Sequence, residues 1–261
     1  MILYEGTIEQ FNDDVMRNCI SDRTTEKYRA YYKKSPADSE YRSWAISLAI
    51  LNNSFHYAGL KDNRIIVEYE LPFSSRRIDV LLFGLGAEGQ ENVVMMELKQ
   101  WSNQNVQDSE TDGNIIVDYG QFKKEQPHPA LQVQGYYFGL KDFLEIFQEN
   151  NSPELSASVY LHNYSKEKNA VLFSPEFSKI IKTFPLFAKE DAVELGRYLK
   201  ERLQGGQGQI VYERFARSPI GPSKKLLDHT SEMINKRIAS SILGLSMEFL
   251  FDRTLIESTK Q

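Results

Sequence analysis

Between residues 64 and 99 the chain strings together three apolar, β-branched runs so closely that pairing between them is hard to avoid. Ile65 to Leu71, Arg77 to Phe83 and Val93 to Leu98 each have the length and composition of a strand. The second and third are joined by Gly84-Leu85-Gly86-Ala87-Glu88-Gly89-Gln90-Glu91-Asn92, a segment with hairpin-loop chemistry. Antiparallel pairing across that loop places Asp79 near Glu97 on the facing strand. Val93-Val94-Met95-Met96 reads as a buried central strand, and it ends in Glu97-Leu98-Lys99. Alternation along a strand puts Glu97 and Lys99 on one face. Charges that close a buried strand are costly unless they are paired or bound to an ion.

Two carboxylates and one ammonium at a sheet edge suit metal-dependent phosphodiester hydrolysis. Asp79 and Glu97 are hard oxygen ligands of the kind Mg²⁺ or Mn²⁺ takes. Lys99 beside them can orient an attacking water or stabilise the charge that grows on phosphorus-bound oxygens. The competing reading is a strand that emerges into solvent with Glu97 and Lys99 as a surface pair. A Glu-x-Lys triplet is expected by chance about once in a chain of this length. Here Glu97-Leu98-Lys99 is the only triplet of acidic residue, any residue and lysine, and it terminates Val93-Val94-Met95-Met96, a run that reads as a buried central strand.

The flanking segments read as helices and further strands. Ile8, Phe11, Val15 and Cys19 recur at helix spacing, with Cys19 expected as a buried helix residue. A second helix is signalled by Ser39 as cap, Glu40 in the first turn and Trp44, Leu48 and Leu51 on one face, with a stop near Asn52-Asn53. The polar stretch Gln100 to Gly113 reads as a surface loop, followed by a short strand at Ile115 to Val117. Pro127-His128-Pro129 opens a helix running to about Phe147. Strands are expected at Leu155 to Leu161 and Ala170 to Phe173, and a helix from Lys189 to Leu203, stopped by Gly205-Gly206. From Ile210 onward the expectation is a short extended piece and then two helical segments.

No apolar run reaches the length of a membrane span, and the first twenty residues carry Glu5, Glu9, Asp13 and Asp14 where a secretory leader is basic and apolar. With a single cysteine there can be no internal disulfide framework and no cysteine-rich zinc site, which fits a reducing, cytoplasmic setting. His56, His128, His162 and His229 are scattered without ligand spacing and are read as structural or surface residues. A net charge of −5 argues against a surface that is basic overall, so any polyanion must be met by a local rim. Candidate rims are Lys27, Arg29, Lys33 and Lys34, the pair Arg76 and Arg77, and the pair Lys123 and Lys124, with Trp101 as a candidate stacking residue beside the site.

The order of these features resembles the PD-(D/E)XK nuclease superfamily, in particular its RecB-like branch: an acidic helix residue, a strand with Asp79, a hairpin, an apolar strand ending Glu97-Leu98-Lys99, and a helix carrying Gln132-Val133-Gln134-Gly135-Tyr136. Ser39-Glu40-Tyr41-Arg42-Ser43-Trp44, the stretch from Glu70-Leu71-Pro72 to Asp79, and Glu97-Leu98-Lys99-Gln100-Trp101-Ser102 resemble more narrowly the amino-terminal nuclease region of bacterial Schlafen-group proteins that continue into a superfamily 1 helicase. That likeness covers roughly residues 1 to 235. By resemblance, Asp79 and Glu97 are metal ligands and the Leu98 carbonyl completes the coordination. Lys99 is catalytic, Gln132 and Tyr136 steady the site or touch substrate, and Glu40 takes the place of the early helical acid. The sequence has no Gly-x-x-x-x-Gly-Lys-Ser/Thr phosphate loop, so the resemblance extends to cutting and not to ATP-driven unwinding.

The expected architecture is α/β: a restriction-endonuclease-like core with a mixed central sheet flanked by helices over residues 1–217, then a helical carboxyl-terminal appendage over 218–261. The expected function is Mg²⁺- or Mn²⁺-dependent cleavage of nucleic acid, DNA before RNA, in bacterial DNA processing or anti-phage defence. A helicase or other motor acting in trans and self-association are the protein partners left open. The alternatives are a non-catalytic nucleic-acid- or partner-binding module on the same scaffold, and a structural adaptor whose segment Ile238 to Leu255 binds another subunit.

Overall fold

The computed structural model describes residues 1–72, 74–222, 226–228 and 230–234. The chain opens with a short strand, β1 (Tyr4–Thr7), and enters helix α1 (Ile8–Met16) through a reciprocal capping box between Thr7 and Gln10. Helices α2 (Ile20–Tyr32) and α3 (Asp38–Ala58) follow. Along α3, Trp44, Leu48, Leu51, Phe55 and Ala58 recur every three or four residues and all are buried, so one face of this helix is given wholly to the core. Then come the strands β2 (Arg64–Glu70), β3 (Arg77–Leu85) and β4 (Glu91–Lys99).

After β4 the chain makes a small excursion through β5 (Val106–Asp108), β6 (Asn114–Asp118) and β7 (Lys123–Pro127), a separate three-stranded antiparallel sheet. Helix α4 (Pro129–Phe143) leads back to β8 (Glu154–Leu161), which lies parallel to β4. Helix α5 (Ser178–Thr183), strand β9 (Leu186–Ala188), and helices α6 (Ala192–Leu203) and α7 (Gly208–Ala216) complete the core. The main sheet has the order β1-β2-β3-β4-β8-β9, antiparallel from β1 to β4 and parallel from β4 to β9. It is the mixed, helix-flanked α/β sheet that the strand pattern predicts. Ile65, Val67, Val80, Leu82, Val94 and Met96 pack under α1, α2, α3 and α6, whereas Ile66, Leu81, Phe83, Val93 and Met95 pack against α4 and α7.

Several sequence expectations need correction. α3 starts at Asp38 behind Ala37, not behind a Ser39 cap, and runs through Asn52-Asn53 to Ala58. Asn52 is buried and donates to Asn12 Oδ1 at 2.9 Å, so tertiary contacts override its turn preference, and the helix stops at Gly59 with φ +73°. Cys19 sits at the start of α2, half-buried, with its thiol donating to the Asp14 carbonyl at 3.4 Å. The stretch from Gln100 to Gly113 holds a 3₁₀ turn, Asn103–Asn105, and the strand β5. Val171–Phe173 is a 3₁₀ turn and no strand, and Ile210 lies in α7 and not in an extended piece. Of the expected appendage over 218–261, residues 226–228 and 230–234 are helical. His229 and the segment Ile238 to Leu255 lie outside the described residues. Among the described residues no helix is long and apolar enough to cross a membrane.

Two glycines test the packing from opposite sides. At Gly208, where α7 starts against the sheet, an added Cβ would collide with the Arg64 amide nitrogen and the Phe83 carbonyl oxygen. Gly208→Ala is expected to destabilise the fold by about 1–3 kcal/mol. Gly135, inside α4, has nothing within 4 Å of such a Cβ, so Gly135→Ala should stabilise by about 0.5–1 kcal/mol. Urea denaturation of the two variants beside the parent chain measures both, and equal midpoints would refute the packing assigned to Gly208.

Candidate functional site

The polar end of the sheet is assembled from β2, β3, β4, α3 and α4. The β3/β4 register pairs Val80 with Met96, and its next step sets Asp79 opposite Glu97. On the other side of β3, Val67 pairs with Val80 and Tyr69 with Ile78, so Glu68 faces Asp79. Three carboxylates therefore lie in a row across three adjacent strands. Glu68 holds φ +57°, a left-handed conformation that a non-glycine residue adopts only where its surroundings enforce it. The facing of side chains slips at this row: Val67 and Val80 belong to the α3 side of the core, Tyr69 and Ile78 to the opposite side.

Lys99 binds Glu97 directly, with Nζ at 2.7 Å from Oε1. Gln132 Nε2 on α4 donates to the same Oε1 at 2.7 Å and contacts the Tyr136 hydroxyl at 2.8 Å, as their four-residue spacing on one helix face requires. Asp79 Oδ2 accepts the Leu98 amide N–H at 2.7 Å. Asp79, Glu97, Lys99, Gln132 and Tyr136, predicted as one group, are thus joined by hydrogen bonds or backbone pairing. Glu97 is only 4% exposed, and its second oxygen, Oε2, is buried without a partner. A carboxylate oxygen left so in a low-dielectric site is expensive unless something cationic or hydrogen-donating comes to it.

Glu40 reaches the site through Arg77. The Arg77 guanidinium forms ion pairs with both Glu40 and Glu68, while Trp44 Nε1 donates to Glu68 Oε1 at 2.8 Å. Glu68 is the acid that sequence reasoning missed. The available signal was a carboxylate in the middle of the apolar run Ile65-Ile66-Val67-Glu68-Tyr69, where a solvent-facing position was not needed to explain it.

A cavity of about 140 Å³ is walled by Ser43, Trp44, Ser47 and Leu48 of α3 together with Glu68, Asp79, Glu97 and Lys99. A larger cavity of about 490 Å³ between α4 and α5 lacks this convergence of buried charge. Ser47 ties the small cavity to the end of β8. It accepts from Gln100 Nε2 at 2.8 Å and lies 3.1 Å from His162 Nε2, while His162 Nδ1 is 3.2 Å from Asn163 Oδ1. The amide oxygen of Asn163 can only accept, so Nδ1 carries the proton and Nε2 accepts from the Ser47 hydroxyl. Burial lowers the His162 pKa and keeps the ring neutral.

Burial, then repulsion from Glu97 and Glu68, pushes the Asp79 carboxyl well above the usual range, against the pull of Lys99 and the Leu98 N–H. Glu68 is raised by burial, with Arg77 and the Trp44 N–H opposing. Burial acts to lower Lys99, but the attraction of Glu97 and Asp79 outweighs it and leaves the ammonium stabilised. Glu40, Glu68, Asp79 and Glu97 stand against only Arg77 and Lys99, so the fully ionised cluster has two negative charges in excess.

Among the described residues no three His, Cys, Asp or Glu side chains already converge as a ligand set. Mg²⁺ does not need one, because it commonly binds through one or two carboxylates and keeps several waters. The residues fit such an ion: hard oxygen donors, an orphaned Glu97 Oε2 and a charge excess of two. Asp79 and Glu97 would hold it, with the Leu98 carbonyl as a further donor.

The raised Asp79 pKa fixes a pH dependence. An unfolded aspartate titrates near 3.9. Between that value and its folded pKa the native state keeps a proton that the unfolded chain has released, so stability falls as pH rises through this window. In EDTA, Asp79→Asn should melt about 2–4 °C above the parent chain at pH 8, with the difference shrinking towards pH 4. A difference that stays constant with pH in thermal melts would contradict the assignment.

Compared with known protein families, with curated proteins and with solved structures, the chain finds no match in any of the three.

Proposed function

We propose that this chain is a metal-dependent nuclease with a restriction-endonuclease-like core of the PD-(D/E)XK kind. It hydrolyses phosphodiester bonds of nucleic acid, DNA before RNA. The observation that carries this reading is the state of Glu97. One oxygen is held by Lys99 and Gln132, the other is buried and unpartnered, and Glu97 lines one small cavity together with Asp79. The free Cys19 fits a reducing compartment such as the cytoplasm.

When bound between Asp79 and Glu97, Mg²⁺ or Mn²⁺ would supply Lewis-acid chemistry to the phosphate and to an attacking water. The chain's own groups do the rest. Asp79 and Glu97 provide the donors, and Gln132 fixes the Glu97 rotamer by holding Oε1, which leaves Oε2 directed elsewhere. Lys99 keeps its proton under the attraction of both carboxylates, so it is a cationic hydrogen-bond donor for a phosphoryl oxygen or the attacking water, and not a base. Arg77 holds Glu68 and Glu40 and limits their repulsion of Asp79. Hydrolysis by water leaves no covalent intermediate on the chain.

With Mg²⁺ or Mn²⁺ and end-labelled DNA and RNA, the parent chain should cut at least one. Asp79→Ala and Lys99→Ala should each lose about 10²–10³-fold in kcat while retaining the far-ultraviolet circular dichroism of the fold. Gln132→Ala, which removes only a positioning bond, should lose less than either. Calorimetric titration with Mn²⁺ should show binding to the parent chain and to Lys99→Ala but not to Asp79→Ala. Cleavage undiminished in both Asp79→Ala and Lys99→Ala would sink the proposal.

A further inference from the structure

The small sheet inserted between Lys99 and Gln132 ends in a tight hairpin, where the Tyr119 N–H donates to the Phe122 carbonyl at 2.9 Å. Gly120 takes φ +83° there, and its N–H is capped by Asp118 Oδ1 at 2.7 Å. The two aromatic rings lie on the outside of this turn, 44% and 58% exposed, stacked with centroids 5.2 Å apart and planes inclined by 24°. Exposed apolar rings at a loop tip usually splay or fold inward. These are instead braced in the open, because Gln126 Nε2 donates to the Tyr119 hydroxyl at 3.1 Å from the adjoining strand.

Charge is unevenly divided along the same sheet. The tip end carries Lys123, which faces Asp118 and donates to Gln107 Oε1 at 3.1 Å, and Lys124, both exposed, while Asp108, Glu110 and Asp112 gather at the opposite end. The tip is also coupled to the candidate site. Lys99 Nζ lies 5.0 Å from the Trp101 ring centroid, and the neighbouring Ser102 binds Asn105 Oδ1. Asn105 Nδ2 in turn donates to the Asp118 carbonyl at 3.1 Å, at the foot of the hairpin.

We infer that the Tyr119–Phe122 hairpin is a stacking platform for unpaired bases of a nucleic-acid strand, with Lys124, on the same face of β7 as Gln126, meeting its phosphates. The proposal rests on the nuclease reading and adds a substrate preference to it: single-stranded or frayed segments bind more tightly than blunt duplex. Base–aromatic stacking needs an accessible π-face and tolerates any sequence, and a lysine on the same face supplies a salt-sensitive remainder. A duplex interior offers no free base faces to such a tip.

The test measures binding in EDTA, where no cleavage occurs, with single-stranded oligonucleotides carrying 2-aminopurine. Stacking on the platform should quench the probe, and Tyr119→Ala/Phe122→Ala should abolish the quenching and weaken binding about tenfold or more. Tyr119→Trp/Phe122→Trp, which keeps two π-faces, should restore both. Hydrolysis of the baseless diester bis(p-nitrophenyl) phosphate with Mn²⁺ should be unchanged in either double variant. Unaltered quenching and affinity in the alanine variant, or no binding of single strands by the parent chain, would overturn the platform. Loss of diester hydrolysis in the parent chain would overturn the nuclease reading instead.

Discussion

The mutual repulsion of Glu68, Asp79 and Glu97 is the constraint around which the rest of the site is arranged. At about 4 Å, with an effective dielectric near 20, one uncompensated pair of like charges costs about 4 kcal/mol, a large share of a domain's net stability. The chain meets this cost in three ways. Arg77 takes Glu68 and Glu40, Lys99 takes Glu97, and Asp79 is left to a backbone N–H and a raised pKa. The division is incomplete, because two cations face four carboxylates. The shortfall includes the Glu97 Oε2 atom, which has no partner, and that is the basis of the proposal that a divalent cation binds here.

The fold places this cluster where strand direction changes. β4 is antiparallel to β3 and parallel to β8, so the ends of β4 and β8 point the same way and carry Lys99 and, just beyond Leu161, His162. Side-chain amides then lock the two ends together. Gln100 binds Ser47, His162 faces the same hydroxyl, and Asn163 Nδ2 returns to the Gln100 carbonyl at 3.0 Å. This closed ring pins the residue after Lys99 to α3, so the ammonium is positioned by the helix as well as by its own strand. Local strain at Glu68 fits the same picture, since a left-handed non-glycine residue persists only when neighbours over-determine it.

What the sequence made legible follows from the range of the interactions involved. Asp79, Glu97 and Lys99 could be read because strand alternation and a hairpin loop are local. Gln132 and Tyr136 were legible only through the likeness to the PD-(D/E)XK superfamily, and the four-residue spacing then places them on one helical face. Glu68 could not, since its approach to Asp79 depends on the β2/β3 register and on a left-handed backbone that no periodicity announces. Ser47 and His162 are 115 positions apart and meet only in the folded chain. The missed strands have a different cause. β1, β5 and β9 span three or four residues, and β7 reads Lys-Lys-Glu-Gln-Pro, so partners and not composition make them strands. The overrun of α3 past Asn52-Asn53 shows burial and side-chain pairing winning over turn propensity.

A sheet end that had only to be stable would not be built this way. Buried ion pairs replaced by well-packed apolar side chains of similar volume are often neutral or more stable, whereas one left with an unpaired member is strongly destabilising. Here Glu68, Asp79 and Glu97 line one small cavity, with a strained backbone at Glu68 and an orphaned Glu97 oxygen, and Arg77, paired to Glu68 and Glu40, leaves its Nη1 unpartnered. Each could be relieved by a single substitution towards Leu, Gln or Gly. On the proposed reading, a cation bearing a phosphate diester would supply both the positive charge that the carboxylates lack and the oxygen acceptors that Arg77 lacks.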